Sequence, residues 1–251
     1  MAKWVEGVVV QNRRWTDQLH SLQIDAPVES FQAGQFTKLA LKIDGELVAR
    51  PYSYVNAPQQ SPLEFYLILV PDGPLSERLV TVGHNESIWV APKAAGFFTL
   101  AEIPDSETLW MLSTGTAIGP FLSILHTDEP WRRFSKIVLV HAVRTQAELS
   151  YQEQIQGIRE QHAEQFIMVP FVSREATDFA IKGRVPVAIQ DGSLEQRVGI
   201  SLAPDQSQVM ICGNPNMVDD TSKVLQERGL TKNRRRIPGQ ITTENYWKLS
   251  S

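Results

Sequence analysis

The sequence predicts a two-domain protein: an antiparallel β-barrel over residues 1–100, followed over residues 101–251 by an α/β domain with a doubly wound parallel sheet. Three observations carry that prediction. A chain of 251 residues with 42% hydrophobic and 21% charged residues has the material for one large or two modest globular cores. Up to about residue 100, short β-rich runs alternate with turn residues, which is the spacing of an all-β unit. Beyond it, apolar strands alternate with longer helical patterns, the grammar of βαβ units around a parallel sheet.

In the first half the β-rich runs are Val5 to Val10, Leu19 to Ile24, Gln35 to Ile43, Tyr52 to Val55, Leu63 to Val70 and Ile88 to Ala91. Ala33-Gly34, Asp44-Gly45, Asn56-Ala57-Pro58, Pro71-Asp72-Gly73-Pro74 and Gly83-His84-Asn85 supply the reversals between them. Leu75 to Val80 has helical spacing, with Ser76 placed to cap it, and is expected to close one end of the barrel. The seam falls near Ala94-Ala95-Gly96-Phe97-Phe98, where small residues and two rings suggest a packed joint. In the second half, strand Leu109 to Ser113 runs into Gly115-Thr116-Ala117-Ile118-Gly119 and an apolar helix ending at His126. There follow strand Ile137 to Val143, helix Ala147 to Gln161, strand Phe166 to Val172, helix Val185 to Gln190, strand Val209 to Cys212 and helix Met217 to Arg228.

Composition excludes several classes. With 24 Lys and Arg against 28 Asp and Glu, the net charge of -4 gives no global basic field for nucleic acid, so an anion site must be local. Cys212 is the single cysteine, which rules out an internal disulfide, a thiolate zinc site and a Cys-ligated iron-sulfur cluster within the chain. His20, His84, His126, His141 and His162 show no metal-ligand spacing. The N-terminus lacks signal-peptide features, and no uncharged run reaches the about 18 residues of a membrane span, so a cytoplasmic protein without membrane association is expected.

In an open α/β sheet, ligands gather outside the carboxyl ends of the strands. The Gly115 to Gly119 loop lets backbone approach a ligand, although alone it reads first as a strand-to-helix turn. Strand Ile137 to Val143 ends in Arg144 rather than the acidic residue an NAD site favours; the next strand ends in Ser173-Arg174, and Arg184 follows. A single Arg is most often a solvated surface residue. Three at strand ends point to an anion site, with NADPH preferred over NADH. Cys212-Gly213-Asn214-Pro215 ends the fourth strand; its thiol has no neighbour that would stabilise a thiolate, so nucleophilic catalysis is not expected. In the first half, Arg50-Pro51-Tyr52-Ser53-Tyr54 joins a cation, two rings and a hydroxyl, with alternation placing Arg50, Tyr52 and Tyr54 on one face. Such a set suits a pyrophosphate and a planar ring, although barrel aromatics are more often core.

Taken together and in order, these motifs resemble the ferredoxin/flavodoxin–NADP reductases in their bacterial form, across essentially the whole chain. The resemblance implies an FAD-binding barrel and an NADP-binding α/β domain. Arg50-Pro51-Tyr52-Ser53 is similar to the family's flavin motif, with Arg50 on the pyrophosphate, Tyr52 on the isoalloxazine and Ser53 near flavin N5. Tyr66, Leu67, Ile68 and Leu69 resemble the strand lining FAD, and Pro74, Leu75 and Ser76 the phosphate turn. Thr116 and Cys212 join Tyr52 and Ser53 among the flavin-proximal residues, with no acid/base catalyst implied. Val143, Arg144, Ser173, Arg174 and Arg184 resemble the clamp on the NADP 2'-phosphate, and Asn214, Pro215 and Asn216 belong to a Cys212-Gly213-Asn214-Pro215-Asn216 stretch that resembles the family's C-G-N-P segment. Tyr246 and Trp247 resemble the aromatic terminus that covers FAD, but Lys248-Leu249-Ser250-Ser251 extends beyond it, where close relatives end at the aromatic residue.

The activity so implied is hydride transfer from NADPH to flavin N5, then single-electron transfer to a separate carrier. Ferredoxin or flavodoxin, both generally acidic, would dock on a local basic patch. Lys232, Arg234, Arg235, Arg236, Arg13 and Arg14 are the candidates, weighed equally against a solvated strand edge. A monomer is expected. The alternatives are an NAD(P)H-dependent flavin reductase or an oxygenase reductase of the same architecture, and a non-catalytic nucleotide-binding regulator.

Overall fold

A computed structural model describes residues 4–234 and 236–245. The first half builds β1 (Val5–Arg14), β2 (Leu19–Asp25), β3 (Phe36–Ile43), β4 (Glu46–Ser53), β5 (Leu63–Ile68), helix α1 (Pro74–Leu79) and β6 (Ser87–Val90). The strands pair antiparallel in the order β4-β3-β6-β1-β2-β5, and a further bridge from Tyr54 to Phe65 joins the two outer strands, as a barrel requires. The β3–β4 hairpin follows from Asp44-Gly45: both residues have positive φ, 50° and 86°, the backbone twist that a two-residue reversal between right-twisted strands demands. Val9, Leu22, Ile24, Leu39, Phe65 and Leu67 fill the interior, and α1 adds Leu75 and Leu79 to the same core.

The second half contributes β7 (Thr108–Thr114), α2 (Ile118–Leu125), α3 (Glu129–Arg133), β8 (Lys136–Val143), α4 (Gln152–Gln161), β9 (Phe166–Val172), β10 (Ile181–Lys182), α5 (Val185–Gln190), α6 (Ser193–Val198), β11 (Ser207–Gly213), α7 (Pro215–Glu227) and β12 (Ile241–Asn245). Its sheet runs β10-β9-β8-β7-β11-β12, with every neighbouring pair parallel. The order reverses at β7, so the ends of β7, β8 and β11 flank the topological switch point. Trp110, Leu112, Val138, Val140 and Ile211 are fully buried, which is why these strands read as continuous apolar runs.

The chain forms two compact units, residues 1–99 with 119–127, and residues 100–118 with 128–251. Within the first, Phe121 packs on Phe98 with centroids 5.4 Å apart, and the Ser123 hydroxyl donates to the Asn56 carbonyl at 2.7 Å. Phe97 is 71% exposed, so of the two neighbouring rings only Phe98 is packed.

Several local expectations are corrected. The strand expected from Tyr52 begins at Glu46, because the tight Asp44-Gly45 reversal puts Glu46 straight into register with Ile43. Ser76 is not a cap. Gly73 holds that position, and the Ser76 hydroxyl is buried in the turn, accepting from Val70 N–H at 3.1 Å and donating to Gly73 carbonyl at 3.0 Å. The helix expected over Ala147 to Gln161 is split, because Tyr151 takes φ +62° and α4 starts only after it.

Candidate functional site

In the first unit, Arg50, Pro51, Tyr52 and Ser53 close β4, opposite Leu39, Lys38, Thr37 and Phe36 of β3. Arg50 is exposed; among the described residues its guanidinium donates only to the neighbouring Ala49 carbonyl, at 2.8 Å, and no carboxylate pairs with it. Tyr52 is half-buried against the barrel core, and burial pushes its hydroxyl up to about 12 despite the opposing charge of Arg50, so the ring stays neutral. Tyr54 joins the same core against which Tyr52 packs. The strand has ended at Ser53, and Tyr54 is fully buried and stacked on Phe31 at 3.8 Å with an 11° interplanar angle.

On β5, Phe65 and Leu67 belong to the core while Tyr66 and Ile68 alternate to the other face. Leu67 therefore has only its peptide groups to give to a ligand, and Leu69 continues the edge with its N–H on the Gln18 carbonyl at 2.7 Å. In the turn before α1, a Cβ on Gly73 would lie 2.7 Å from Ser76 Oγ and 2.9 Å from the Val70 carbonyl oxygen, so only glycine fits. Ser76 thus shapes the Gly73-Pro74-Leu75 turn, and its hydroxyl is already engaged.

In the second unit the three arginines follow three adjacent parallel strands. Arg144 succeeds β8, Arg174 lies just past β9, and Arg184 lies just past β10 as the residue before α5. Arg174 N–H donates to the Arg144 carbonyl at 2.8 Å, and Ser173 N–H and hydroxyl both reach the Val143 carbonyl at 3.1 Å. All three arginines are exposed, and none has an ion pair among the described residues. Arg184 also lines a groove of about 270 Å³ between α5 and α7, with Lys223, Asp220 and Glu227.

At the switch point, Gly213 takes φ +138°, and the Thr114 hydroxyl accepts from Asn214 N–H at 2.9 Å, tying the ends of β7 and β11 together. Asn214 caps α7 through the Asn216 N–H at 2.9 Å, with Pro215 in the first turn, so this segment is a built helix start. Thr116 is buried in the short 3-10 turn Gly115–Ala117. Cys212 is completely buried, and burial followed by the neighbouring Glu244 raises its thiol well above the ordinary range, so it is a neutral thiol and no nucleophile.

Three residues escaped the sequence reading. Glu244 stands opposite Cys212 in the β11–β12 register; burial raises its carboxyl to about 7, and Oε2 has no partner among the described residues. His141 sits under the Gly115 turn. Asn12 donates from Nδ2 to the carbonyls of Leu79, Val80 and Val82 at 2.9–3.2 Å, fixing the end of α1, while His20 Nδ1 holds its Oδ1 at 3.0 Å. A carboxylate in an edge-strand pattern and an Asn in a β-run carry no local signal for these roles. Tyr246, Trp247 and Lys248 to Ser251, like Arg235, lie outside the described residues.

Comparison with known proteins agrees with this arrangement. Residues 111–223 match the family model described as "Oxidoreductase NAD-binding domain". The chain is 50% identical over 248 residues to the flavodoxin/ferredoxin–NADP reductase of Escherichia coli K12, covering 98% of this chain and 100% of that protein. It is 34% identical over 231 residues to the ferredoxin–NADP reductase of Pseudomonas aeruginosa, covering 88% and 89% of the two chains. A crystal structure of a ferredoxin NADP+ reductase from Neisseria gonorrhoeae with bound FAD and NADP superposes with a TM-score of 0.93 at 34% identity, over 98% of this chain and 100% of that one. Full-length identity at this level, on a barrel unit and a parallel unit built around these motifs, establishes that the chain belongs to the flavodoxin/ferredoxin–NADP reductase family.

Proposed function

We propose that this protein transfers electrons between NADP(H) and flavodoxin or ferredoxin through non-covalently bound FAD. The observation that carries this reading is the pair Arg144 and Arg174: two exposed guanidinium residues whose backbones are bonded to each other, with no carboxylate partner among the described residues. Uncompensated like charges held side by side suit a dianionic 2'-phosphate, which guanidinium groups bind bidentately. Bound together, FAD and the nicotinamide coenzyme supply hydride and single-electron chemistry that no side chain provides.

The chain's own residues bind and orient. Arg50, with no ion pair among the described residues, suits the FAD pyrophosphate; neutral, half-buried Tyr52 offers an aromatic face, and Ser53 a hydroxyl beside it. The Gly73 turn, held by Ser76, offers backbone, and Tyr66 and Ile68 offer the outer face of β5. Across the parallel unit, the Gly115 turn, Thr116 and the Asn214-Pro215-Asn216 helix start stand at the switch point, where a coenzyme is oriented. Glu244 holds a proton on its carboxyl below about pH 7.

For the protein partner, Lys232, Arg234 and Arg236 are exposed cations without an ion pair among the described residues, which supports docking of an acidic carrier there. Arg13 and Arg14 support it less, because Arg14 pairs with Asp17 and Arg13 lies over the Trp15 ring at 3.7 Å. Among the described residues no helix is long and apolar enough to cross a membrane. A monomer working in the cytoplasm completes the reading.

Anaerobic titration of the purified protein with NADPH and with NADH, followed by visible absorbance, tests it. A yellow protein bleached by NADPH at far lower concentration than by NADH, and reoxidised by flavodoxin or ferredoxin, is the expected result. A colourless protein that takes up no flavin overturns it, and fast turnover with free flavin but none with either carrier moves the assignment to a flavin reductase.

A further inference from the structure

Two strands that end in arginine present a clamp only while their ends stay in step. β8 and β9 are in parallel register through Val143 and Val172, and the N–H donations from Ser173 to Val143 and from Arg174 to Arg144 carry the pairing past both strand ends. After Arg144 the chain turns through Thr145 into the 3-10 turn Gln146–Glu148. A helical start leaves N–H groups unpaired, and a Thr in front of it usually supplies the acceptor. Here the Thr145 side chain makes no capping bond. The Gln146 N–H instead donates to Oε1 of Glu175, 29 residues further on and the direct neighbour of Arg174. Glu148 completes the arrangement by accepting the Arg144 N–H at 3.1 Å.

We propose that Glu175 is a positioning residue for coenzyme selectivity: by holding the turn after Arg144 onto the strand end that carries Arg174, it keeps the two guanidinium groups at the separation a 2'-phosphate needs. The inference rests on the assignment of Arg144 and Arg174 to that phosphate. Glu175 acts through the turn and not by contact with the coenzyme. It is half-buried, its carboxylate is spent on a backbone N–H, and it forms no ion pair with either arginine among the described residues. Without the tie, the Arg174 N–H still bonds the Arg144 carbonyl, but the turn from Gln146 onward is released, the like charges drive the Arg144 side chain away from that of Arg174, and a phosphate then meets one cation at a time. NADH has no 2'-phosphate, so its binding is indifferent to that spacing.

Steady-state kinetics of the holoenzyme with NADPH and NADH test the inference in Glu175→Ala, Glu175→Gln and the control Arg144→Ala. Glu175→Ala is expected to raise the KM for NADPH about tenfold, equivalent to about 1.4 kcal/mol, with kcat and the KM for NADH within twofold of the parent. Glu175→Gln keeps an oxygen acceptor and restores the NADPH KM to within about threefold. Equal losses with both coenzymes, an unchanged selectivity in Glu175→Ala, or a Gln variant as poor as the Ala variant overturns the positioning role. Should Arg144→Ala itself leave selectivity unchanged, the phosphate clamp is misassigned and this inference falls with it; should Arg144→Ala lower selectivity while Glu175→Ala does not, only the role of Glu175 fails.

Discussion

The Nε2 atom of His141 lies 3.1 Å from the carbonyl oxygen of Gly115, so the imidazole of a buried strand residue supports the turn in which Gly115 takes φ +54°. A carbonyl only accepts, which fixes the proton on Nε2 and leaves Nδ1 as an acceptor without a partner among the described residues. Complete burial lowers the imidazole to about 4, against the small opposing pull of the Gly115 bond.

That depressed basicity has a sign. The unfolded chain binds a proton near pH 6.5 that the folded His141 refuses until about pH 4, so its contribution to stability is complete above 6.5 and is lost as pH falls through 4. Denaturant titrations between pH 7 and 4 should show His141→Gln losing less stability than the parent over that interval, by on the order of 2–3 kcal/mol. His20 and His126 are also lowered, chiefly by burial, so some acid sensitivity should remain in the variant. Identical pH slopes in both proteins would refute the assignment.

Arg144→Ala, and separately Arg174→Ala, should raise the KM for NADPH roughly ten- to a hundredfold and leave NADH use nearly unchanged, since a charge-assisted contact contributes about 1.5–3 kcal/mol. Initial-rate measurements with the two coenzymes decide this. Equal losses would place the phosphate elsewhere.

For Glu244 the direction reverses. Burial raises its folded value to about 7 from the ordinary 4.5, so the neutral carboxyl is favoured in the fold; its contribution is present below 4.5 and lost as pH rises through 7. Glu244→Gln should therefore be more stable than the parent at pH 9 by about 2 kcal/mol, with the gap closing by pH 5. Thermal melts at the two pH values measure it, and a gap that does not change with pH would show that Glu244 does not titrate across this range.

Gly213→Ala should be among the costlier single-methyl additions in the chain. Its Cβ would fall 2.1 Å from Thr114 Oγ1, at a φ of +138° that a side chain resists, so a loss of at least about 2 kcal/mol is expected. Chemical denaturation reads the loss, and relief in the double variant Gly213→Ala with Thr114→Ser would not occur, because the hydroxyl that collides remains.

Much of this is legible in the sequence because it is local. Asp44-Gly45 announces its turn by the φ each residue tolerates, the apolar strands of the parallel sheet announce burial on both faces, and Arg144 and Arg174 stand at strand ends that periodicity alone locates, whereas the two-residue strand before Arg184 has no such signal. What escaped is non-local. Alternation groups Tyr54 with Arg50 and Tyr52, but the stack on Phe31 and the bridge to Phe65 that bury it come from elsewhere in the chain. The end of α1 is fixed by an amide 67 residues upstream, and the start of the Gln146 turn by a carboxylate 29 residues downstream. The break at Tyr151 is a conformation that a helical pattern does not announce.

The segment 119–127 has a consequence for anyone dividing the gene. A fragment ending at residue 99 would strip the ring that Phe98 rests on, leave the Asn56 carbonyl without its hydroxyl donor, and take Ile124 away from beside Gly34. Excising the flavin half as an autonomous module, or swapping it between relatives, therefore requires that this helical piece be grafted along with it. During synthesis, too, the amino-terminal half stays incomplete until the ribosome has passed residue 127.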